Sequence, residues 1–482
     1  MVFEDPIFIL LIGILIVVGG IIGLRLHPFL ALLLGAFVVA ILTPVSAVEQ
    51  YFLGSGASVD AARQMALRPI GERIALQFGS TAGKIGILIA MASIIGKSML
   101  ESGAAERIVR STLKLTGINK APLTFLGSSF FLGIPVFFDT VFYLMIPLAK
   151  AMAIRIGKNY LLLVLTITAG AAMANSLVPP TPGPLFLVSE MNIPIGMMMI
   201  GGILVGIVTI IAGYIYASWA NRKWVVPLRD SPDAPLKEIQ SLGAKEDKHL
   251  PSLWASLLPI LIPIVFISVK AVVDLSVPAD TGEGTFLMTF VIGFVQFFGE
   301  KNIALVAGGL AGLILLAIHK KGDRKAVVSS VQGAIMTAGV IILITSAGGA
   351  FGGMLQQTGI SSRIGELTQD FQMALLPLAF FITAVVRTAQ GSATVAMITA
   401  SGILAGMAEN NYLEYHHLYI GLAIACGSKL IPWMNDSGFW IVCKMSNLTE
   451  KEALKTFSPL LTIMGLSGLI VIIIAARLFP LI

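Results

Sequence analysis

Residues 387–394 read Arg387-Thr-Ala-Gln-Gly-Ser-Ala-Thr394, and they place polar and charged side chains in the middle of an apolar stretch over 375–408. That stretch is about 34 residues long, whereas around 20 residues of helix suffice to cross a bilayer. A second apolar stretch, 121–149, is interrupted in the same way by Gly133-Ile-Pro-Val-Phe-Phe-Asp139-Thr140. Both stretches are therefore predicted to be re-entrant hairpins rather than single spanning helices.

The composition indicates which solvent this chain is built for. Of its 482 residues, 56% are hydrophobic and 12% are charged, and the mean hydropathy is +0.91. Soluble domains carry about 25% charged residues, so the chain is predicted to be a multi-pass protein of the cell inner (cytoplasmic) membrane, with the lipid bilayer as its solvent. The net charge of +6 fits basic cytoplasmic loops and is not interpreted as a nucleic-acid-binding surface.

The distribution of lysine and arginine predicts the orientation of the two hairpins. Basic residues are frequent in the hydrophilic stretch 220–251 and in alternate shorter loops, whereas loops 179–194 and 409–417 contain none. Because basic residues collect in cytoplasmic loops, the first hairpin is predicted to enter from the cytoplasm and the second from the periplasm. One segment on the outer side, 44–78, carries three arginines and is interpreted as an amphipathic interfacial stretch.

The two halves of the chain are weakly repeated. A gapless shift of 256 residues lays the first hairpin on the second and residues 179–182 on 435–438. It also superimposes four identical pairs: Gly96 on Gly352, Gly103 on Gly359, Arg107 on Arg363 and Ile108 on Ile364. The loop charges give the two copies opposite topology, and inverted repeats with broken helices are typical of secondary transporters.

The predicted fold is an all-α polytopic membrane protein with an inverted structural repeat, two re-entrant hairpins, broken helices and about eleven spanning helices. Its predicted parts are an N-terminal half over 1–219 with hairpin 121–149, a cytoplasmic linker over 220–251, and a C-terminal inverted half over 252–482 with hairpin 375–408.

Four breaks in the apolar pattern form the candidate binding site. Two are the hairpin tips, and two are the segments Pro179-Pro-Thr-Pro-Gly-Pro184 and Asn435-Asp-Ser-Gly438. Non-helical backbone at membrane depth persists only where it lines a cavity or is buried in protein. Its N–H and C=O groups, together with the positive ends of half-helices, are suited to binding anions and ions.

Arg387 is the most informative charge in these breaks. An arginine at the bilayer centre costs about 2.5–3.5 kcal/mol on the insertion scale, so a partner is expected: a substrate carboxylate, or alternatively a structural pair with Asp139 or Asp436. Gln390, Ser392 and Thr394 either bind the hydroxyls of a polyol or satisfy exposed backbone groups. Lys429 is a weaker anion-binding candidate than Arg387.

Asp139 and Asp436 are the two carboxylates that the predicted topology places near mid-membrane. Burial favours the protonated form of a carboxyl, and a carboxyl that binds a proton near neutral pH suits a proton carrier. Asp436 is alternatively the cap of a half-helix, and backbone carbonyls beside Asn435 and Asp436 could ligate sodium instead of a proton. Lys84 and Lys97, inside a predicted helix, are expected to reach the interface or to form structural pairs.

Enzyme and metal motifs are missing from the sequence. We find no His-Glu-x-x-His, no Gly-x-Ser-x-Gly and no phosphate-binding loop, and the five histidines fall in loops or at helix ends. The two cysteines, Cys426 and Cys443, have no metal-type spacing. Neither an enzyme nor a metal or other cofactor is predicted.

At the quoted breaks the chain resembles the gluconate permease (GntP) family of proton symporters, which belongs to a wider superfamily of ion transporters. The resemblance runs nearly end to end and is most specific at 391–402, at Asn435-Asp-Ser-Gly-Phe-Trp440 and at 179–184. Arg387 and Phe138-Asp139 also match the family pattern. Family members often carry histidine at the positions of Asn175, Thr181 and Trp433, and proline at that of Ser437.

The resemblance implies import of gluconate or a related sugar acid by proton symport, with D-serine as the substrate of some members. A sodium-coupled carboxylate carrier remains the alternative. The superfamily implies a homodimer and an elevator-like motion of the parts that bear the hairpins. Proton coupling is predicted at Asp139 and Asp436, and the predicted substrate-binding residues are Thr181, Arg387, Gln390, Gly391, Ser392, Thr394, Asn435 and Asp436.

Overall fold

The structure is a computed structural model that describes residues 5–117, 120–229, 250–276, 286–360, 372–404, 413–434 and 436–481. Within these ranges the chain is built from helices and contains no strand. The predicted all-α fold class is therefore confirmed.

The first half of the chain supplies eleven of the described α-helices. They are α1 (Pro6–Ile22), α2 (Pro28–Leu42), α3 (Val45–Gly54), α4 (Val59–Ala66), α5 (Ile70–Glu101), α6 (Ala104–Thr116), α7 (Ala121–Leu132), α8 (Phe138–Ile156), α9 (Tyr160–Leu177), α10 (Pro182–Glu190) and α11 (Ile195–Lys223).

The second half follows a similar order. Its described α-helices are α12 (Leu253–Ser276), α13 (Phe286–Phe298), α14 (Lys301–His319), α15 (Arg324–Gln356), α16 (Leu375–Gln390), α17 (Ala393–Leu404), α18 (Leu418–Gly427), α19 (Ser437–Ser446) and α20 (Glu450–Leu478). The four predicted breaks coincide with the junctions α7–α8, α9–α10, α16–α17 and α18–α19.

The predicted count of about eleven spanning helices is not reached among the described residues. In the described part, seven stretches of helix are long and apolar enough to cross a membrane, or eight if α2 and α3, which meet at 100°, form one broken span. One of the seven, Tyr160–Glu190, runs through the break between α9 and α10. Apolar helices such as α7, with 12 residues, and α18, with 10, are too short to cross alone. A count of about eleven is thus not confirmed.

Helices α5 and α15 pack side by side and run in opposite directions. Near the start of α5, Arg73 Nη1 donates to Gln357 Oε1 at 2.8 Å, just beyond the end of α15. Near the other end of α5, Ser330 Oγ in α15 donates to Glu101 Oε2 at 2.7 Å. The shift of 256 residues relates these same two helices, so equivalent elements are antiparallel, as an inverted repeat requires.

A broken helix follows each hairpin: α9 and α10 form the first broken helix, and α18 and α19 form the second. The first helix of each hairpin packs on the broken helix that follows it. Helix α7 lies on α9 and helix α16 lies on α18. Glycine permits close approach in both contacts: a Cβ at Gly170 would lie 2.3 Å from Leu126 O, and one at Gly427 would lie 2.3 Å from Phe380 O. Small residues let helix backbones approach closely in membrane proteins.

The half-helix beyond each break packs on the second helix of the opposite hairpin. Helix α10 lies on α17, where Gly183 meets Met397, and α19 lies on α8, where Gly438 meets Phe138. The two broken helices also approach each other, since Ser428 Oγ lies 3.4 Å from Ser176 Oγ in α9. The breaks and hairpin tips are thereby gathered around one centre. The sides from which the hairpins enter, and the division at 220–251, stay predictions.

Candidate functional site

Arg387 lies in the last turn of α16 and is only 3% exposed. Its three nitrogens reach three different segments. Nε donates to Ser428 O at 3.0 Å, Nη1 donates to Gly391 O, and Nη2 donates to Asp436 Oδ2. A buried guanidinium is tolerated when an opposite charge and hydrogen-bond acceptors surround it, and both conditions are met here.

Asp436 is the N-cap of α19 and the anionic partner of Arg387. One carboxylate oxygen, Oδ1, accepts the backbone N–H of Gly438 at 2.8 Å, and the other binds Arg387. The two structural interpretations of these residues, a helix cap and an ion pair, are thus both observed. That either residue contacts a substrate stays a prediction.

Asp139 lies in the first turn of α8, and its side chain is exposed. The charge of Asp436 acts on it, and the neighbouring Phe138 contacts Gly438 in α19. Among the described residues no cation forms a salt bridge with Asp139. The structure therefore brings the two predicted proton-coupling carboxylates close together. Asp436 forms an ion pair with Arg387, whereas the side chain of Asp139 is exposed.

Some of the hydroxyl groups predicted to contact substrate form hydrogen bonds with the backbone. Thr181 is 1% exposed, and its Oγ1 donates to Val178 O at 2.9 Å. Ser392 Oγ accepts the N–H of Val395 at 3.3 Å and so begins α17. Thr394 is half-buried.

Three further predicted residues belong to the tip of the second hairpin and to the break of the second broken helix at 435–438. Gly391 ends α16 at a φ of +89°, a conformation that glycine adopts without strain. Its carbonyl accepts a hydrogen bond from Arg387. Asn435 and the side chain of Gln390 lie outside the described residues.

Lys429, which the sequence predicts to be a weaker anion-binding candidate than Arg387, belongs to the same centre. It follows Ser428, whose carbonyl binds Arg387, and it is 4% exposed. The charges of Arg387 and Asp436 both act on it. Within the described part of the chain, its ammonium forms neither a hydrogen bond nor a salt bridge. A mid-membrane lysine beside a break was the signal available in the sequence, and its isolation from partners emerged only from the fold.

The charged centre is confined to the second repeat. The residues at the matched positions of the first repeat are Phe131, Met173 and Pro180, where the second repeat has Arg387, Lys429 and Asp436. Both repeats nevertheless build the same hairpin-on-broken-helix packing. The packing therefore does not require these charges.

Trp433 connects the break of the second broken helix, at 435–438, to the tip of the second hairpin. Its Nε1 donates to Thr388 O at 2.8 Å, and the ring is 43% exposed. Elsewhere in the spans, Lys97 forms a salt bridge of 3.1 Å with Glu101, as expected of a structural pair. In the residues that the structure describes, no three His, Cys, Asp or Glu side chains are grouped as a metal site would require.

Known proteins similar to this chain are permeases and transporters. The family model described as "GntP family permease" matches residues 5–478. An uncharacterized permease of Haemophilus influenzae is 31% identical over 473 residues, which cover 97% of this chain and 92% of the relative. A gluconate permease of Pseudomonas aeruginosa is 29% identical over 470 residues, with coverage of 96% and 97%.

Among solved structures, MtrF of Neisseria gonorrhoeae, described as illuminating a class of antimetabolite efflux pumps, has a similar fold. It superposes with a TM-score of 0.64 at 16% sequence identity, covering 95% of this chain and 96% of MtrF. At that identity the likeness concerns the fold alone.

Proposed function

The chain belongs to the GntP permease family, and from that premise we propose that it imports gluconate or a closely related sugar acid by proton symport across the inner membrane. It is a transporter and not an enzyme. Gluconate enters the proposal because several full-length relatives at about this level of identity are gluconate permeases.

The observation that carries the proposal is the charged centre where the second hairpin meets the second broken helix. Arg387 and Asp436 neutralise each other, and Lys429 adds an amine beside them that a bound anion would hold in its protonated form. One anion fits such a centre, and broken helices at the repeat interface are where secondary transporters bind their substrates.

Asp139 is the best-placed residue to carry the coupling proton. Protonation of Asp436 would weaken its ion pair with Arg387, whereas no such pair holds Asp139 in the described structure. Asp139 is exposed and near Asp436, so a proton could reach it without rearrangement of the buried ion pair. We therefore assign coupling to Asp139 and a structural role to Asp436.

The exposed surfaces favour an inward-facing conformation. Asp139 in α8 and Ser437 in α19 are exposed, whereas Thr181, the repeat equivalent of Ser437, is buried. Helices α8 and α19 run toward Arg155 and Lys444, which the positive-inside rule assigns to the cytoplasm. The centre is thus proposed to open to the cytoplasm and to be closed on the outer side.

Uptake into proteoliposomes tests the proposed function. Labelled gluconate, other sugar acids and D-serine are offered under an imposed pH gradient or an imposed sodium gradient. We expect gluconate or a close relative to accumulate on the pH gradient alone. Accumulation that follows only the sodium gradient would contradict proton symport, and failure to transport any sugar acid would contradict the proposed substrate class.

A further inference from the structure

Lys429 is a buried cation whose partner is missing from the described structure, and we propose that it binds the carboxylate of the substrate. Arg387 and Asp436 then form a structural pair that holds the second hairpin against the second broken helix. This inference rests on the proposed function, because it presumes that the transported molecule is an organic anion.

The surroundings of Lys429 support an external partner. The residue is 4% exposed, and its Cβ lies 3.4 Å from the position that a Cβ at Gly465 of α20 would occupy. Burying an ammonium is costly unless an anion or several acceptors compensate it. Asp436 is the carboxylate whose charge acts on Lys429. It already binds Arg387 through Oδ2 and Gly438 through Oδ1. An anion from outside the protein would supply the compensation.

Arg387 is less suited to that role in this conformation. Its Nε and Nη1 donate to the backbone carbonyls of Ser428 and Gly391, and its Nη2 donates to Asp436. A substrate carboxylate would have to displace these partners before it could bind the guanidinium. Lys429 requires no such displacement.

The first repeat shows that the fold does not require a lysine at this position. The matched residue there is Met173, which is fully buried in the same kind of broken helix. Methionine has a length similar to that of lysine and fills such a position without charge. A buried lysine in the second repeat therefore lowers the stability of the fold relative to methionine. A role in substrate binding explains why lysine occupies this position.

The charge count narrows the substrate class to monocarboxylates. With one carboxylate bound to Lys429, Asp436 bound to Arg387 and Asp139 neutralised by the coupled proton, the two cations and two anions of the centre balance. A second carboxylate on the substrate would lie in a low-dielectric site without a cation and would be rejected. Hydroxyls of the substrate would add hydrogen bonds but no charge.

Binding to the purified full-length protein in detergent tests this inference. Gluconate, its neutral amide gluconamide and the dicarboxylate glucarate are titrated against the wild type and Lys429→Met by calorimetry. We expect Lys429→Met to weaken gluconate binding about 10- to 100-fold, the range of one charge-assisted hydrogen bond, and to leave gluconamide binding nearly unchanged. The control is Lys97→Met, which removes a lysine paired with Glu101 and should leave all three affinities unchanged.

Thermal unfolding supplies a second, independent measurement. Because Lys429→Met removes a buried amine that has no partner among the described residues, ligand-free protein should melt at a higher temperature than the wild type. Lys429→Gln, which keeps a polar end without the charge, should also lose the preference for gluconate over gluconamide. A lower melting temperature for both variants would show that Lys429 has a structural partner and would overturn the inference.

The two hypotheses fail in different ways. A wild type that binds gluconate, with Lys429→Met and Lys429→Gln retaining the full preference over gluconamide, overturns the role of Lys429 and leaves the proposed function intact. A wild type that binds none of the sugar acids overturns the proposed function, and the role of Lys429 with it.

Discussion

Arg387, in the last turn of the first helix of the second hairpin, forms an ion pair with Asp436, which begins the half-helix beyond the second break. The two residues lie 49 positions apart in the sequence. The pair also fixes the hairpin tip, because the same guanidinium holds Gly391 O of the tip and Ser428 O of the broken helix. The hairpin cannot leave the broken helix without breaking these bonds.

Replacing only one residue of this ion pair should destabilise the protein more than replacing both residues. Arg387→Met leaves the Asp436 carboxylate buried without its cation, at a cost of about 3–5 kcal/mol. The double variant Arg387→Met with Asp436→Asn removes both charges, and asparagine can still cap α19. We expect the double variant to recover most of the loss, measured as the midpoint of thermal unfolding in detergent.

A simple sum of the two single effects would contradict the ion pair, since residues that interact are not additive. Arg387→Lys should fall between the wild type and Arg387→Met. It keeps the charge but loses the planar fork that reaches Ser428, Gly391 and Asp436 together.

The glycines at the two hairpin contacts offer a test of the repeated packing. A Cβ added to Gly170 would lie 2.3 Å from Leu126 O, and one added to Gly427 would lie 2.3 Å from Phe380 O. Overpacking against backbone typically costs about 1–3 kcal/mol, so Gly170→Ala and Gly427→Ala should each lower the free energy of unfolding by about that amount.

Gly86→Ala serves as the matched control for these variants. It lies in the spanning helix α5, where an added Cβ would meet nothing within 4 Å. Alanine has the higher helix propensity, by about 1 kcal/mol, so the control should be neutral or slightly stabilising. Equal effects of all three substitutions would argue that α7 and α16 do not pack as closely as the structure shows.

Breaks in the apolar pattern predicted most of the fold, but they left open whether Arg387 pairs with a substrate carboxylate, with Asp139 or with Asp436. The interruptions around Asp139 and Arg387 located the hairpin tips, because glycine, proline and polar residues at membrane depth are incompatible with uninterrupted helix. The count of about eleven spans is not confirmed, because half-helices such as α18 carry the same apolar composition as full spans.

The site was predicted less completely than the fold. Arg387 was singled out from the cost of burying its charge and Asp436 from its predicted position near mid-membrane, and the structure brings them together. Which of their partners is a substrate depends on the direction of each side chain, and no sequence pattern contains that information. Lys429 was predicted to be a weaker candidate than Arg387, and its lack of acceptors among the described residues follows from how α18, α20 and the hairpin pack.

Accessibility of two matched positions tests the proposed inward-facing conformation. Thr181 and Ser437 are equivalent under the shift of 256 residues, yet Thr181 is 1% exposed and Ser437 is exposed. In a background without native Cys426 and Cys443, Ser437→Cys should react with a membrane-impermeant thiol reagent applied from the cytoplasmic side, whereas Thr181→Cys should be protected from both sides. Labelling of Ser437→Cys only from the outside would reverse the proposed orientation.

Replacement of Asp139 tests the coupling mechanism, because charge arithmetic separates its role from that of substrate binding. A monovalent sugar acid that enters a cell held negative by 100 mV is opposed by about 2.3 kcal/mol. One co-transported proton cancels that charge, so that accumulation follows the pH gradient and is independent of the membrane potential. We expect Asp139→Asn to abolish accumulation driven by pH in proteoliposomes and to leave exchange between equal pools of labelled and unlabelled substrate intact, since exchange moves no net proton. Asp274→Asn, which removes a carboxylate paired with Lys270 in α12, should accumulate substrate as the wild type does. Concentrative uptake by Asp139→Asn on a pH gradient would transfer the proton to another group, and loss of exchange together with accumulation would instead place Asp139 among the substrate-binding residues.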